Sequence, residues 1–348
     1  KPHIVQKKPL RIRNLLKNQI NKISRLILID NSFVINLNYN DGKIISAVYN
    51  QNGKIKEIKA DIFIISAGAL ETPRILLDTF KKSDVNKNIG RNLLDHPIIC
   101  IGKLKLNKGK YHNFHGINNL FKNNSPRYGL TIKSPYKYAK KLNHSIFFRP
   151  STKKDMTSFK SDLLQIIHSK FTLKKFINIL LNPRLIKLSF ILLAEKIGIG
   201  YYSDELDVTL QVEGVSNNNK SSIKLSNSKD EYNRSIPDIT YDFSNEILAD
   251  IESIQKLISS NTKNNVTYDS YKINKDDFIL GSHHAGTCSM GSNINNSVVD
   301  KNLKYHNYEN LYICDASVLP KIGNANLSLT LVALAIRLSN KIIDTYDN

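Results

Sequence analysis

Alternating hydrophobic and polar residues near the start of the chain predict an antiparallel meander. Residues 32–39 and 44–49 alternate with a period of two, which is typical of half-buried strands. Asn40-Asp41-Gly42 separates them and predicts a hairpin turn, because these residue types tolerate the positive φ of tight turns. Asn52-Gly53 predicts a second turn, and the apolar run at residues 25–30 is interpreted as a further strand.

The apolar run at residues 61–66 is continuous rather than alternating, which indicates a strand that is buried on both faces. It ends at Ala67-Gly68, and Thr72-Pro73 follows as the expected start of a helix. Glycine has no Cβ, so Ala67-Gly68 would let a ligand approach the backbone at the carboxyl end of the strand, where open α/β sheets bind their ligands. A simple helix-entry turn is the alternative interpretation.

The pattern changes after residue 97 to longer mixtures of polar and apolar residues, with alternating strands such as residues 208–213. It changes back near residue 281, where a buried strand and a closing helix are predicted. We therefore expect three segments, residues 1–97, 98–280 and 281–348, with the first and third forming one discontinuous domain.

The formal net charge of +20 raises nucleic acid or an anionic membrane surface as partners. Lysine, however, accompanies heavy asparagine and isoleucine use along the whole chain, as a codon bias toward A and T would produce. We expect no nucleic-acid partner, because no recognisable binding module or alternation of basic and aromatic residues is present. A functional basic patch is the alternative.

Three cysteines without CxxC spacing argue against a disulfide framework and for a reducing, cytoplasmic location. Charged residues interrupt the longest apolar region, residues 171–200, so it does not predict a membrane-spanning helix, and we expect no membrane contact. No second pair of ligands accompanies the histidines and Cys288, so we also expect no metal site.

The segment Gly281-Ser-His-His-Ala-Gly-Thr287 places two histidines before a Gly-Thr step. Histidine titrates near neutral pH and suits general base catalysis. Adjacent side chains on an extended or turn backbone point in different directions, so only one of the pair is expected to face a substrate. His283 is the candidate, and His284 is the competitor. A purely structural histidine pair is the alternative.

Together with Ala60 to Leu77, the Gly90-Arg-Asn-Leu-Leu-Asp-His-Pro97 block and Asp315-Ala316, this segment resembles the glucose-methanol-choline (GMC) family of flavin-dependent oxidoreductases. The resemblance implies oxidation of a small-molecule alcohol, with FAD as cofactor and His283 as the catalytic base. It also implies that Asn326 pairs with that base across the flavin, with Asn324 as the second choice. The electron acceptor is left open.

The resemblance implies an α/β fold, in which a discontinuous FAD/NAD(P)-binding-like domain accompanies an antiparallel-sheet substrate-binding domain at residues 98–280. Residues 1–97 would be the partial FAD-binding domain, and residues 281–348 its C-terminal return. Cofactor contacts are expected from both FAD-binding segments, namely Val34, Ala67, Gly68, Asn92, Asp315, Ala316 and Asn326.

One family feature is missing from the sequence. The family opens with a strand, a Gly-x-Gly-x-x-Gly turn and a helix that hold the pyrophosphate of FAD, and no such pattern precedes Lys54. Gly198-Ile-Gly200 lacks the third glycine and opens no helix. We therefore expect a fragment that lacks the N-terminal FAD-binding segment. A degenerate or split binding protein without catalytic activity is the alternative.

Overall fold

The computed structural model describes residues 2–4, 26–80, 86–106, 128–132, 143–150, 186, 205–214, 220–243, 245–262, 266–323 and 325–346. The described strands are β1 (Pro2–Ile4), β2 (Ser32–Asn40), β3 (Lys43–Gln51), β4 (Lys54–Lys59), β5 (Phe63–Ile65), β6 (Pro97–Leu106), β7 (Tyr128–Ile132), β8 (His144–Pro150), β9 (Glu205–Val212), β10 (Ser222–Lys229), β11 (Ser235–Thr240), β12 (Val266–Ser270), β13 (Ile279–Leu280) and β14 (Leu311–Ile313). The α-helices whose bounds are described are α1 (Gly68–Thr79), α2 (Glu246–Asn261) and α3 (Ser328–Tyr346).

The chain divides into two units. The first comprises Lys1–Leu16, Ile98–Gln211 and Glu246–Phe278, and the second comprises Lys17–Pro97, Val212–Asn245 and Ile279–Asn348. Residues 212–245 thus belong to the second unit, whereas the sequence places them in the 98–280 segment. The physical reason is that β10 is hydrogen-bonded to the loop after α1, where the Ile223 amide donates to the Gly90 carbonyl at 2.7 Å.

The first unit is built on a sheet with the strand order β1-β7-β8-β9-β6-β12. The β1–β7, β7–β8, β9–β6 and β6–β12 pairs are antiparallel. Helix α2 buries Ile247, Ile251 and Ile254. A buried polar pair, His144 Nε2 with Asp250 Oδ2 at 3.0 Å, joins β8 to this helix.

The second unit contains the α/β part of the fold. The strands β2, β3 and β4 form the predicted antiparallel meander, and β10 and β11 form a hairpin. Strand β5 pairs in parallel with β14, and α1 follows β5 directly. The core between them includes Leu76, Phe80, Tyr305, Leu311 and Ile313, all of which are fully or almost fully buried.

Two details of the second unit differ from the sequence-based expectations. Residues 26–30 form no strand, and Ile27 and Leu28 are 82% and 72% exposed, because no described strand pairs with them. Helix α1 begins at Gly68 rather than at Thr72-Pro73, so Pro73 lies inside the helix. No helix in the described parts of the chain is long and apolar enough to cross a membrane.

Candidate functional site

The turn between β5 and α1 is open at its glycine. Gly68 has φ +86°, and no atom lies within 4 Å of the position that a Cβ would occupy. Ala67 is exposed beside it. The sequence predicts that a cofactor approaches here, and the backbone conformation leaves room for that approach.

Asp315 connects this turn to the end of β14. Its Oδ2 accepts hydrogen bonds from the Gly68 amide at 2.9 Å and from the Thr72 hydroxyl at 2.6 Å. Its Oδ1 accepts one from the Ser317 amide at 2.8 Å. The carboxylate is buried and its oxygens are engaged, so its position fixes the start of α1 relative to the turn at Ala316.

A hydrogen bond from Thr287 links the segment that contains His283 and His284 to helix α1. A proline inside a helix has no amide hydrogen for the carbonyl four residues earlier, which for Pro73 is the carbonyl of Ala69. The Thr287 hydroxyl donates to that carbonyl at 2.7 Å. The Gly-Thr step of the motif therefore satisfies a buried acceptor that the helix leaves open.

The backbone around Gly286 holds two predicted cofactor residues near the histidines. The Gly286 amide donates to the Ala316 carbonyl at 3.2 Å. A Cβ on Gly286 would lie 2.3 Å from the Asn92 carbonyl oxygen, and its φ is +85°. Asn92 itself has φ +60°, and its amide donates to the Ser289 hydroxyl at 3.2 Å. Asn92, Gly286 and Ala316 thus meet in one place.

A buried carboxylate, Asp95, contacts residues 282–284, which are called the histidine turn below. Its Oδ1 accepts from the His283 amide at 2.9 Å, and its Oδ2 accepts from the Ser282 amide at 3.2 Å. The His284 ring lies against the same carboxylate, with Nε2 at 3.4 Å from Oδ2. The two histidines are therefore not equivalent, because His284 uses its ring to contact Asp95 and His283 uses only its backbone.

The His283 ring faces a third histidine. The rings of His283 and His96 are perpendicular at 88°, with their centroids 5.1 Å apart. His96 is fully buried, and its Nδ1 lies 2.9 Å from the Val212 carbonyl oxygen. In the sequence, Asp95 and His96 are part of the Gly90–Pro97 block, and no role is predicted for either of them. Their adjacency in the Asp-His-Pro step was the available signal.

The remaining predicted residues lie apart from this cluster or make no contact with it. Val34 is half-buried on β2, and its carbonyl accepts from Arg74 at 3.0 Å. Asn326 is exposed just before α3 and makes no hydrogen bond to the described residues. Asn324 lies outside the described residues. The pairing of Asn326 with His283 therefore stays a prediction.

Cys288 is buried, and burial raises the pKa of its thiol well above the usual range. A thiol in this state is a small apolar group rather than a nucleophile or metal ligand. Within the described ranges, no three His, Cys, Asp or Glu side chains converge in a way that could hold a metal ion.

The sequence is similar to known oxidoreductases. Residues 196–335 match the family model described as GMC oxidoreductase. A protein of Acanthamoeba polyphaga mimivirus, named as a truncated and inactive GMC-type oxidoreductase, is 41% identical over 63 residues, which are 18% of this chain and 72% of that protein. A long-chain-alcohol oxidase of Arabidopsis thaliana is 32% identical over 69 residues, which are 20% of this chain and 9% of that protein.

Solved structures share the fold. Pyridoxine 4-oxidase from Mesorbium loti matches with a TM-score of 0.56 and 16% identity over 89% of this chain and 57% of its own. An FAD-dependent oxidoreductase from Chaetomium thermophilum matches with a TM-score of 0.58 and 14% identity over 96% of this chain and 64% of its own. The chain thus spans less than two thirds of these structures.

These matches confirm the predicted resemblance and the predicted fold class, an FAD-binding α/β fold with an antiparallel substrate domain. The family model and the high coverage of the viral relative agree on the same assignment. The chain belongs to the GMC oxidoreductase family, whose cofactor is FAD.

Proposed function

We propose that this chain carries the catalytic base of an FAD-dependent oxidoreductase that oxidises a CH–OH group of a small alcohol or sugar-like molecule. The observation that carries the proposal is the state of His283. Its backbone is fixed by a fully buried carboxylate, while its ring Nδ1 is buried and has no hydrogen-bond partner among the described residues. An imidazole held in this way has a ring that is available for chemistry.

The reaction removes two hydrogens from the substrate. His283 accepts the hydroxyl proton on a ring nitrogen, while the hydride leaves the same carbon and the alcohol becomes a carbonyl compound. FAD supplies the hydride acceptor when it is bound. Asn326 is proposed to donate its amide hydrogen to the substrate oxygen, which would stabilise the negative charge that develops there.

His283 is preferred to His284 because the two residues contact Asp95 differently. The His284 ring places its Nε2 3.4 Å from the Asp95 carboxylate, so that nitrogen already lies against a buried protein group. His283 contacts that carboxylate through its backbone amide and keeps its ring free of it. This difference supports the choice that the offset from Gly286-Thr287 suggests.

Residues of the second unit are suited to contact part of the cofactor. Gly68 leaves open space beside its backbone, and the turn from Asp315 to Ala316 is hydrogen-bonded to the same glycine. These residues, with Val34 and Asn92, are proposed to contact FAD. The sequence supplies no glycine loop for the pyrophosphate, so we propose that a strand, glycine loop and helix from outside this sequence complete the site.

Strand β5 offers a place for that segment. In the described part of the chain β5 pairs on one edge only, with β14, and both strands are three residues long. Parallel sheets are normally covered on both faces and contain more strands. Ile64 is nevertheless 49% exposed on β5, and helix α3 exposes Leu329 at 83% and Ile336 at 58%. A further parallel strand with a helix would bury such apolar surface.

The test uses the complete gene product. We expect the purified protein to show flavin absorbance and to reduce a dye with an alcohol substrate. His283→Ala is expected to lower the turnover by about 10²–10⁴-fold, the usual contribution of a general base. His284→Ala is the matched control, and it should retain bound flavin and most of the turnover. Equal turnover of His283→Ala and the parent protein would contradict the proposal.

A second function is supported by a specific observation. The viral relative that this chain covers by 72% is named as truncated and inactive. A degenerate member of the family would keep the fold and the histidine turn but bind no flavin. A complete gene product without flavin absorbance, even after incubation with FAD, would favour this alternative over catalysis.

A further inference from the structure

The histidine turn interrupts the pairing of two segments of the chain. The Leu94 amide donates to the Ala285 carbonyl at 2.9 Å, and the Ala285 amide donates back to the Leu94 carbonyl at 3.0 Å. The Gly281 amide donates to the His96 carbonyl at 2.9 Å. Between these contacts the first segment has a single residue, whereas the second has the three residues of the histidine turn. A regular antiparallel pair has equal numbers on both segments, so the histidine turn is a bulge.

The backbone of this bulge is strained. Ser282 has φ +60°, a left-handed conformation that residues other than glycine rarely adopt. The residues of a bulge are also left out of the pairing ladder, so their amides need acceptors elsewhere. The turn therefore requires another group to hold it in this conformation.

Asp95, the single residue opposite the bulge, supplies the acceptors. Its Oδ2 accepts from the Ser282 amide at 3.2 Å, and its Oδ1 accepts from the His283 amide at 2.9 Å. The His284 ring lies against Oδ2, so all three residues of the turn contact one fully buried carboxylate. The Tyr241 hydroxyl donates to the Asp95 carbonyl at 3.2 Å and holds the backbone of Asp95 in turn.

The direction of the His283 ring depends on this backbone. Nδ1 of His283 is buried and has no hydrogen-bond partner among the described residues, so no hydrogen bond at that nitrogen orients the ring. A catalytic group that moves by about 1 Å can slow a reaction by about 10²-fold. The group that holds the bulge is therefore expected to affect any chemistry at the His283 ring.

We propose that Asp95 is a positioning residue for His283. Its carboxylate keeps the bulge in the conformation that strains Ser282, and the bulge in turn sets the direction of the His283 ring. Asp95 acts through His283 and contacts neither substrate nor flavin. The inference rests on the proposed function for its catalytic meaning, whereas the hold on the bulge is a property of this chain alone.

Hydrogen exchange tests the hold on the bulge without flavin. Asp95→Asn has nearly the same shape, but it retains one acceptor oxygen and presents an NH2 group to an amide that needs an acceptor. In the full chain, we expect the Ser282 amide to exchange about 10- to 100-fold faster in this variant, as the loss of a hydrogen bond to a charged group implies. Unchanged exchange at both Ser282 and His283 would overturn the proposal.

The control is a second buried carboxylate that also contacts a histidine ring. Asp250 lies in the first unit, and its Oδ2 is 3.0 Å from Nε2 of His144. Asp250→Asn removes a buried charge in the same way but leaves the bulge untouched. We expect the exchange of the Ser282 amide to be unchanged in this variant. Equal acceleration in Asp250→Asn and Asp95→Asn would mean that the loss of any buried carboxylate loosens the turn, which contradicts the proposal.

Kinetics of the flavin-containing protein test the consequence for His283. At saturating flavin, Asp95→Asn should lower kcat by about 10- to 100-fold with little change in KM, because a misdirected base loses part of its contribution of about 10²–10⁴-fold. Asp250→Asn should keep the parent kcat. A parent protein without turnover would refute the proposed function, and the exchange measurement would still decide whether Asp95 holds the bulge.

A second substitution distinguishes positioning from a merely structural role. Glycine adopts φ +60° without strain, so Ser282→Gly reduces the need for the carboxylate. We expect the double variant Asp95→Asn/Ser282→Gly to recover most of the kcat that Asp95→Asn loses. A kcat of Asp95→Asn equal to that of the parent, or no recovery in the double variant, would overturn the proposal.

Discussion

The backbone amide of His283 donates a 2.9 Å hydrogen bond to Oδ1 of Asp95, a carboxylate with no solvent exposure, from 188 residues further along the chain. The loop after α1 thereby fixes the position of the histidine turn. Oδ1 also accepts a hydrogen bond from the His96 amide at 2.6 Å. One side chain therefore fixes the backbone of both His283 and His96, whose rings face each other. Charge-assisted hydrogen bonds of this kind are stronger than neutral ones.

The backbone at Gly286 should tolerate no side chain. Gly286→Ala forces a left-handed φ on alanine and places its Cβ 2.3 Å from the Asn92 carbonyl. We expect the free energy of unfolding to fall by about 2–4 kcal/mol, measured by urea denaturation. Gly53→Ala is the matched control, because φ is +81° there and no atom lies within 4 Å of the added Cβ. The free energy of unfolding of Gly53→Ala should fall by only about 1 kcal/mol. Equal losses would show that the Asn92 contact is unimportant.

The hydrogen bond from Thr287 to helix α1 should contribute to stability. Thr287→Val keeps the shape of the side chain but leaves the buried Ala69 carbonyl without a donor, and Pro73 supplies none. We expect the free energy of unfolding to fall by about 1–3 kcal/mol. Thr287→Ser, which keeps the hydroxyl, should lose less than half of that. Similar losses in the two variants would mean that the missing methyl group, and not the hydrogen bond, matters.

The sequence predicts the local elements of the fold better than their long-range partners. The hairpin at Asn40-Asp41-Gly42 and the strand–turn–helix unit at Ala67-Gly68 follow from residue types at short spacing, and both are present. Residues 25–30 have the composition of a strand, but residues 26–30, the part that the structure describes, form none, because a strand also requires a neighbour with which to pair. Residues 212–245 join the second unit through contacts with residues far away in the chain.

In the candidate site, too, residues of a contiguous motif could be predicted and long-range partners could not. His283 could be singled out because its motif is contiguous, and Asp315 and Ala316 follow a recognisable buried strand. The contribution of Asp95 could not be found in this way, since the amides of Ser282 and His283 that it binds lie almost 190 residues away. His96 was equally hidden, because its position beside His283 depends on how the two loops meet.

Stability should depend on pH through His96. Burial holds the pKa of His96 below its ordinary value of 6.5. Below that pH the unfolded chain therefore binds a proton at His96 more readily than the folded protein does. The free energy of unfolding should therefore fall as the pH decreases below 6.5, and the effect should be absent above it. Urea midpoints between neutral and mildly acidic pH would show a smaller fall in His96→Asn than in the control His306→Asn, in which the altered ring contacts Ser297. Parallel curves for these variants would contradict a buried, neutral His96.

The exposed face of β5 should matter only when the flavin site is complete. Ile64→Asp is expected to change the stability of the present chain by less than about 0.5 kcal/mol, because Ile64 is 49% exposed. In a flavin-containing complete protein, the same change should release the flavin. Ile55→Asp on β4, where the side chain is 61% exposed, is the matched control and should leave the flavin bound. Flavin retention in both variants would place the additional segment elsewhere.

His283 is proposed to be the base of a flavin-dependent oxidation. The most direct measurement is the rate at which the bound flavin is bleached by an alcohol in the absence of oxygen, compared between His283→Ala and His284→Ala in the complete gene product. We predict that both variants bind flavin and that only His283→Ala loses the fast bleaching, by about 10²–10⁴-fold. Fast bleaching in His283→Ala, or its loss in His284→Ala alone, would contradict the account.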